Sequence, residues 1–488
     1  MKLKRFICLF LVLIVCAAAI VGCTDGGTKD DPGTSDSAST DSAAVESTVP
    51  ENQRDTLGDK KFDGTYRILT RTSTEYEFNS ENTHGATNVN AAILSRNAAV
   101  EDRFGVKIEV EATPGDWGKR QDFLSKLETI MSSGNSEGYS LVAGHSAVIC
   151  SATWAGYAAD MSALPNVDFN KVWWSDDFYR NCSVDGHTYF MIGDIAYTLY
   201  EYMICTFFNQ ETVGNLSLES PYDLVEKNEW TLEKMIEMVK AVSTDLTVPE
   251  NAQYGLLLNT HSVRGFTTAF ELPIAEKLDN GRYTFPSGVN TKTEAAFSAL
   301  IDMFGLDQVY FNSKNTGNDA VDSNAIFSAN RGMFYIQTLS EAQVLSQTMK
   351  TYGVVPYPKY DKSQIDYCTP YRDTLTAVMV PKVMKDDEMI GTVTEALCMI
   401  SRDTVAPAYY ESALKYRYTS DPKVVKMLDL VRNDLAVTFE ATCSIPNVYQ
   451  ALSTMYAKQL TYPVYYEKYV QTWKESLADI YANLDKLK

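Results

Sequence analysis

The chain has 488 residues, enough for two domains of ordinary size. Its 63 acidic residues outnumber the 43 basic ones and leave a net charge of −20. That balance opposes nucleic-acid binding, which relies on Lys and Arg to neutralise phosphates.

Positive charge in Met1-Lys2-Leu3-Lys4-Arg5 precedes an apolar run from Phe6 to Val21, which ends at Gly22-Cys23. This is the layout of a secretory signal covering residues 1–22, short for a bilayer span and with no stop-transfer cluster behind it. Ile20-Val21-Gly22-Cys23 resembles the bacterial lipobox, where cleavage leaves an acylated cysteine at the new N-terminus. The resemblance implies a palmitate-type lipid on Cys23, and embedded acyl chains anchor a protein without spanning the bilayer. Residues 23–61 are Gly-, Ser-, Thr-, Asp- and Pro-rich, a composition that reads as a disordered tether with a mean reach of about 30 Å. Phe62 and Tyr66 open the globular part. No later stretch is apolar enough to span a membrane, so the remainder is expected to be soluble.

Tyr66 to Arg71 reads as a buried strand, and Asn90 to Phe104 as a helix with Ile93, Val100 and Phe104 on one face and Gly105 as terminator. Val106, Ile108 and Val110 alternate with polar residues as a strand does. Leu124, Leu127 and Met131 mark one stripe of the next helix, and Tyr139–Ala143 is a short apolar strand. The order β-α-β-α-β predicts an α/β lobe. Further strands are predicted at Thr188–Ile192, Ile204–Phe208, Tyr254–Leu258, Met333–Ile336, Gly353–Val355 and Leu375–Val380. Thr291-Lys292-Thr293-Glu294 reads as a capping box, and Asp421-Pro422 as an N-cap with proline at the first helical position. After about Asp386 the pattern is helical and closes on Trp473, Leu477, Ile480, Tyr481 and Leu484.

Of nine cysteines, Cys8 and Cys16 leave with the signal. Cys150, Cys182, Cys205, Cys368, Cys398 and Cys443 are scattered singly, so they are expected to be buried free thiols. His84, His145, His187 and His261 are too dispersed to suggest a metal cluster, and no phosphate-cradling or zinc-protease motif is present; no cofactor is expected. Gly134-Asn135-Ser136-Glu137-Gly138 matches the hydrolase pattern G-x-S-x-G but lies between a helix end and a strand start, the reverse of a nucleophile elbow. What stands out is aromatic residues beside polar ones where strands should end: Gly144-His145-Ser146, Asp194 to Tyr202, Asn259-Thr260-His261, Tyr335-Ile336-Gln337 and Tyr371-Arg372. Flat rings with polar neighbours suit sugar recognition. Trp173-Trp174 is assigned to packing.

Several strings, in order, resemble the extracellular solute-binding lipoproteins of ABC importers, the group that includes maltodextrin-binding proteins. Tyr139 to Gly144 resembles their YDLV strand, with Ser140 in place of aspartate, and Asp185 to Asp194 resembles a glycine-lysine hairpin. Phe207 to Glu211 resembles the YYNKD crossing strand, Trp230 to Met235 the WTWDE helix start, and Tyr352 to Pro358 the GVxPxP return strand. The resemblance implies a two-lobed α/β fold of the type II periplasmic-binding-protein kind, with an interlobar cleft and a helical C-terminal region. It implies a first lobe of residues 62–205 plus 356–384 and a second of 206–355 plus 385–488. It also implies ligand-facing positions at Arg71, Glu75, His145, Asp194, Tyr200, Tyr202, His261, Tyr335, Gln337, Arg372 and Tyr449. The sugar-stacking tryptophan that the family carries after the Gly332 region is Tyr335 or absent here. The function implied is that of a monomeric, non-enzymatic binder on the outer face of the bacterial cytoplasmic membrane. It would deliver a small ligand, expected to be a carbohydrate or oligosaccharide, to ABC permease subunits. A surface adhesin or sensor component and an anchored glycoside hydrolase are the competing readings.

Overall fold

The computed structural model describes residues 49–79, 87–311, 319–349, 351–415, 422–443 and 445–486. Eleven strands are found: β1 (Thr65–Arg71), β2 (Lys107–Thr113), β3 (Tyr139–His145), β4 (Ile204–Asn209), β5 (Tyr254–Leu258), β6 (Glu276–Lys277), β7 (Tyr283–Thr284), β8 (Val309–Phe311), β9 (Gly332–Thr338), β10 (Tyr352–Val355) and β11 (Thr376–Met379). They form two main mixed sheets with helices around them, the two-lobed α/β architecture that the resemblance implies. The first sheet runs β11-β3-β1-β2 and the second β10-β4-β9-β5-β8.

In the first sheet β1 lies parallel to both β2 and β3, and β11 returns antiparallel to β3 with Thr376 opposite His145. Every residue of β3 is buried, as a central strand covered on both faces must be, whereas the edge strand β2 is only half-buried along most of its length. In the second sheet β5 is parallel to β8 and β9, and β4 runs antiparallel to β9 and β10. Its interior is aromatic. Tyr335 packs on Phe207 and Phe327 at centroid distances of 6.2 and 5.3 Å, and Trp230 lies against Phe334 while its indole N–H donates to the Pro356 carbonyl at 3.0 Å. Thr231 caps the helix Leu232–Lys240, accepting from the Lys234 amide.

The order of elements matches the sequence reading, with several corrections. Residues 50–61 are packed, not tethered: Lys171 donates to the carbonyls of Glu51 and Arg54 at 2.9 and 3.2 Å. Arg103 holds Asp55, Asp59 and the Leu57 carbonyl, and Leu57 itself is buried. Backbone carbonyls and carboxylates held by Lys171 and Arg103 thus order a stretch whose composition alone would not. Thr188–Ile192 forms single bridges, such as Met191 to Val378, instead of a ladder. The tight turn before it is a type I′ hairpin, with φ of 53° at Asp185 and 81° at Gly186.

The helix Arg120–Ser132 buries Phe123, Leu127 and Ile130, a stripe rotated one residue from Leu124, Leu127 and Met131, because the Phe123 ring packs over the glycine face of β3 at Gly144. The cap of the helix Thr291–Phe304 is Asn290, whose side chain accepts from the amides of Lys292 and Thr293, so Thr291 is a helical residue and not the cap. The helix Pro422–Asn433 starts on its proline as expected, while Asp421 lies outside the described residues, as does His84. Two helices expected in the second lobe, Asp387–Asp403 and Val405–Lys415, instead pack on the helix Thr87–Phe104, the first of them also reaching β3. The helix Val405–Lys415 also packs on the helix Asp387–Asp403, and from Pro422 the chain lies against β10 of the second sheet.

The thiols of Cys150, Cys182, Cys205, Cys368, Cys398 and Cys443 are free, all but Cys368 buried. Trp173 and Trp174 are core residues whose indole N–H groups both donate to Glu395 at 2.9 Å. Ser136 of the G-x-S-x-G string is exposed in the loop between the helix Arg120–Ser132 and β3. Asn135 closes that loop by donating to and accepting from the Tyr139 backbone.

Candidate ligand-binding site

Two adjacent segments, before β4 and before β11, carry the chain from one sheet to the other. These pair antiparallel: Met203 bridges Tyr371, the Ile204 amide donates to the Pro370 carbonyl at 2.8 Å, and the Arg372 amide donates to the Tyr202 carbonyl at 2.9 Å. The carboxyl ends of β1 and β3 from one sheet, and of β5 and β9 from the other, face this double crossing. In open α/β sheets such ends are where ligands bind.

From the first sheet come Arg71 and His145. Arg71, 1% exposed, ends β1; its guanidinium donates to Thr74 at 3.0 Å and to the Thr374 carbonyl, and reaches Asp116 at 3.5 Å. His145 ends β3 and caps the helix Ser146–Trp154, its Nδ1 accepting from the Ala147 amide at 3.3 Å. A ring nitrogen spent as an acceptor fixes the neutral tautomer with its proton on Nε2. Ser146 holds the crossing loop, its hydroxyl donating to the Asp373 carbonyl at 2.7 Å. The loop after β2 adds Trp117, 51% exposed, with its ring centroid 5.8 Å from that of His145 and the Arg120 guanidinium 4.5 Å from its own centroid.

From the second sheet, Asn259 caps the helix Thr260–Ala269 and accepts from the amides of His261 and Ser262. That helix is seated closely, since a Cβ on Gly265 would stand 2.5 Å from the Tyr357 hydroxyl and 3.0 Å from Pro370 of the crossing. It brings His261 and Arg264 to the loop Arg372-Asp373-Thr374, and Arg264 stacks 4.1 Å from the Tyr449 ring centroid.

The electrostatics follow from this convergence. Burial, then the neighbouring Arg71 and Arg372, lower the His145 pKa to about 3. Burial, then Arg372, Arg264 and His145, lower that of His261 to about 3. Burial raises the Asp373 carboxyl, opposed by Arg264 and Arg372. Behind the groove, Glu77 accepts from the Thr198 amide at 2.8 Å and from the Thr376 hydroxyl, tying the crossing to β11. Burial and then Glu77 push Glu201 up to about 8, while Tyr76 donates to it at 3.1 Å.

Five buried polar atoms here have no hydrogen-bond partner: His261 Nδ1, Arg264 Nε, Arg372 Nε, Thr374 Oγ1 and Asn259 Nδ2. An unmade buried hydrogen bond costs about 1–3 kcal/mol, so such a concentration points to groups kept for a ligand.

Glu201 makes stability depend on pH. Between the ordinary carboxyl value near 4.5 and about 8 the folded chain holds a proton that the unfolded chain has lost, so this contribution falls as pH rises through that window. Glu201→Gln, which keeps an acceptor for Tyr76, is expected to raise Tm by a few degrees at pH 8 relative to the parent and to leave it unchanged near pH 4. Parallel pH profiles for the two proteins would refute the assignment. His145 and His261 act in the opposite sense, their contribution fading as pH falls below about 6.5 toward 3.

Of the positions expected to face ligand, Arg71, His145, Tyr202, His261, Arg372 and Tyr449 come together; Tyr202 lies between Glu201, Arg71 and Arg372. Four others are engaged inside the protein. Asp194 is buried, accepting from Tyr200 and Arg402, and the Tyr200 ring packs edge-on against Tyr410 at 5.1 Å. Tyr335 is fully buried, and Gln337 donates to its hydroxyl at 3.1 Å while accepting from the Thr338 amide. The aromatic-polar alternation of β9 therefore builds a core. Glu75 sits on the turn after β1 and accepts from Asn79 at 2.8 Å.

The sequence reading missed Trp117, Arg264, Asp373 and Thr374. A shallow hollow lined by Asn209, Thr212, Val242, Gln253 and Asn330 lies at the opposite end of the second sheet. Asn209 is spent capping the helix Gln210–Asn215 there, and Glu211 is the one charged residue in the hollow's lining, against the several guanidinium, imidazole and carboxyl groups at the crossing. Among the described residues, no group of three or more His, Cys, Asp or Glu could hold a metal ion, and no helix is long and apolar enough to cross a membrane.

No protein-family model matches the chain, and no curated protein matches its sequence. Solved structures match its fold. A cyclo/maltodextrin-binding protein complexed with maltotetraose superposes with a TM-score of 0.56 at 14% identity, over 87% of this chain and 99% of that one. An ABC substrate-binding protein from Listeria monocytogenes in complex with cycloalternan gives 0.52 at 13% identity, over 86% and 99%. A solute-binding protein of an ABC transporter from Thermotoga lettingae, bound with α-D-tagatose, gives 0.50 at 13%, over 86% and 99%.

Proposed function

We propose that this chain is a lipid-anchored, extracytoplasmic solute-binding protein that holds a saccharide between its two sheets and presents it to an ABC importer. The observation that carries the reading is the groove itself. Strand ends from both sheets meet at a paired crossing, beside an exposed indole and a set of buried polar atoms without partners. An exposed ring offers its face to the apolar side of a sugar, and neutral imidazoles with guanidinium N–H groups can count hydroxyls. The fold shared with sugar-bound ABC solute-binding proteins supports the same reading.

In mechanism, Arg71, His145 and Trp117 belong to one lobe, and His261 and Arg264 to the other. A ligand touching both gains its full contacts only when the lobes close, so binding shifts the open-closed balance. The paired segments at Met203 and Tyr371 are the hinge in this reading, and the closed form is what a permease would recognise. The protein holds its cargo without a covalent step.

A screen across neutral and acidic oligosaccharides, polyols and short peptides tests the proposal. A true ligand at about 100 times Kd should stabilise the fold by roughly 2.7 kcal/mol, reduce the radius of gyration in solution scattering, and be recovered unchanged. Release of shorter sugars would favour the glycoside hydrolase. A panel with no stabilising saccharide would favour an adhesin or sensor component.

A further inference from the structure

The charges around the groove point past saccharides in general. Arg71, Arg264 and Arg372 converge from β1, the helix after β5 and the crossing loop, in a chain where acidic residues outnumber basic ones by 63 to 43. Arg71 is matched by Asp116 at 3.5 Å and by two further acceptors. Arg264 and Arg372 are not matched in this way: neither makes a salt bridge among the described residues, and the Nε of each is buried without an acceptor. Asp373 is the carboxylate that faces them both, and it also meets Tyr449. Two guanidinium groups thus share one carboxyl group. The other acids nearby, Glu77 and Glu201, sit behind the groove, bound to Thr198, Thr376 and Tyr76.

We infer that the saccharide bound here is acidic, its carboxylate or sulfate group seated between Arg264 and Arg372. The stacking of Arg264 on Tyr449 occupies the face of the guanidinium and orients its edge, which is the part that recognises a planar anion through two parallel hydrogen bonds. The neutral state of His145 and His261 fits the same arrangement, since each ring can donate one further hydrogen bond without adding to the positive charge. With a net charge of −20, the molecule as a whole repels anions, so these cations are a local provision and not a reflection of overall composition.

The inference rests on the saccharide reading, and the test separates the two. Calorimetric titration of the whole exported chain would use uronate oligosaccharides of gluco, galacto and manno configuration, each beside its carboxyl-reduced neutral counterpart, with sulfated disaccharides as a further arm. At least one acidic sugar should bind tenfold or more tighter than its neutral counterpart, with affinity falling as salt rises. Arg372→Gln and Arg264→Gln should each cost that sugar on the order of tenfold to a hundredfold and flatten the salt dependence of its affinity, with a smaller loss for the neutral counterpart. Uronate against sulfate binding identifies which anion is held. Neutral sugars binding as well as acidic ones would overturn the inference and leave the saccharide proposal standing; no saccharide of either kind binding would overturn both.

Discussion

Replacing Arg96 with methionine is expected to cost about 3–5 kcal/mol of folding stability, since several buried acceptors are left unsatisfied at about 1–3 kcal/mol each, and to lower Tm by on the order of 10 °C. Arg96 is 1% exposed on the helix Thr87–Phe104. Its guanidinium donates to the Glu77 carbonyl at 2.9 Å, the Ile195 carbonyl at 3.2 Å and the Ser401 hydroxyl at 3.1 Å. Burial lowers its pKa to about 10, which leaves it charged at neutral pH. One side chain therefore fastens the turn after β1, the segment leading to the crossing, and the helix Asp387–Asp403. Methionine fills much of the same volume but supplies no donor, so three buried acceptors lose their partner. Lysine keeps the charge without the planar fork and should recover only part of the loss. Since Glu77 and Thr198 lie on the anchored segments, Arg96→Met should also broaden the ligand-induced compaction. A Tm within a degree of the parent would show that the network contributes little.

The sequence made the scaffold legible where periodicity and burial agree. β1, β3, β4, β9 and β10 are short segments rich in aliphatic and aromatic residues, and each is a strand within a residue or two of its expected limits. Thr188–Ile192 has the same composition yet forms only bridges, because its residues are buried by tertiary packing without a continuous partner strand. At the candidate site, residues at strand ends could be read, as with Arg71 and His145. Arg264 could not, since an arginine inside a helix looks like a solvated face until Tyr449, 185 positions later, stacks on it. The internal engagement of Asp194 is hidden in the sequence for a similar reason. Its partner Arg402 is 208 residues away, and that pair makes it internal. Trp117 did carry a signal: an aromatic residue in the polar turn Gly115-Asp116-Trp117-Gly118, directly after a strand, has no local core to enter.

Cys23→Ser is expected to move essentially all of the protein from the membrane fraction to the medium. In the lipobox reading of Ile20-Val21-Gly22-Cys23, the thiol is the only group on which the lipid can be built, and serine cannot replace it. Embedded acyl chains contribute about 0.8 kcal/mol per buried CH₂, so their loss removes the whole anchoring energy at once. What remains has lost Lys2, Lys4 and Arg5 of the signal and is more acidic than the −20 of the full sequence, so anionic headgroups repel it. Glu51 and Arg54 are held by Lys171, so in the tether reading of the sequence the linker is shortened to residues 24 to about 49. At about 5–6 Å × √n its mean reach is near 25–30 Å, enough for the groove to turn toward a permease in the same membrane. The measurement is fractionation with metabolic labelling by a radiolabelled fatty acid. The parent should carry label and pellet with membranes, and the variant should do neither. Cys23→Ser protein that stays with the membranes would end the anchor proposal, while its ligand-binding affinity, read on the released chain, should match that of the parent because the groove lies wholly beyond residue 61.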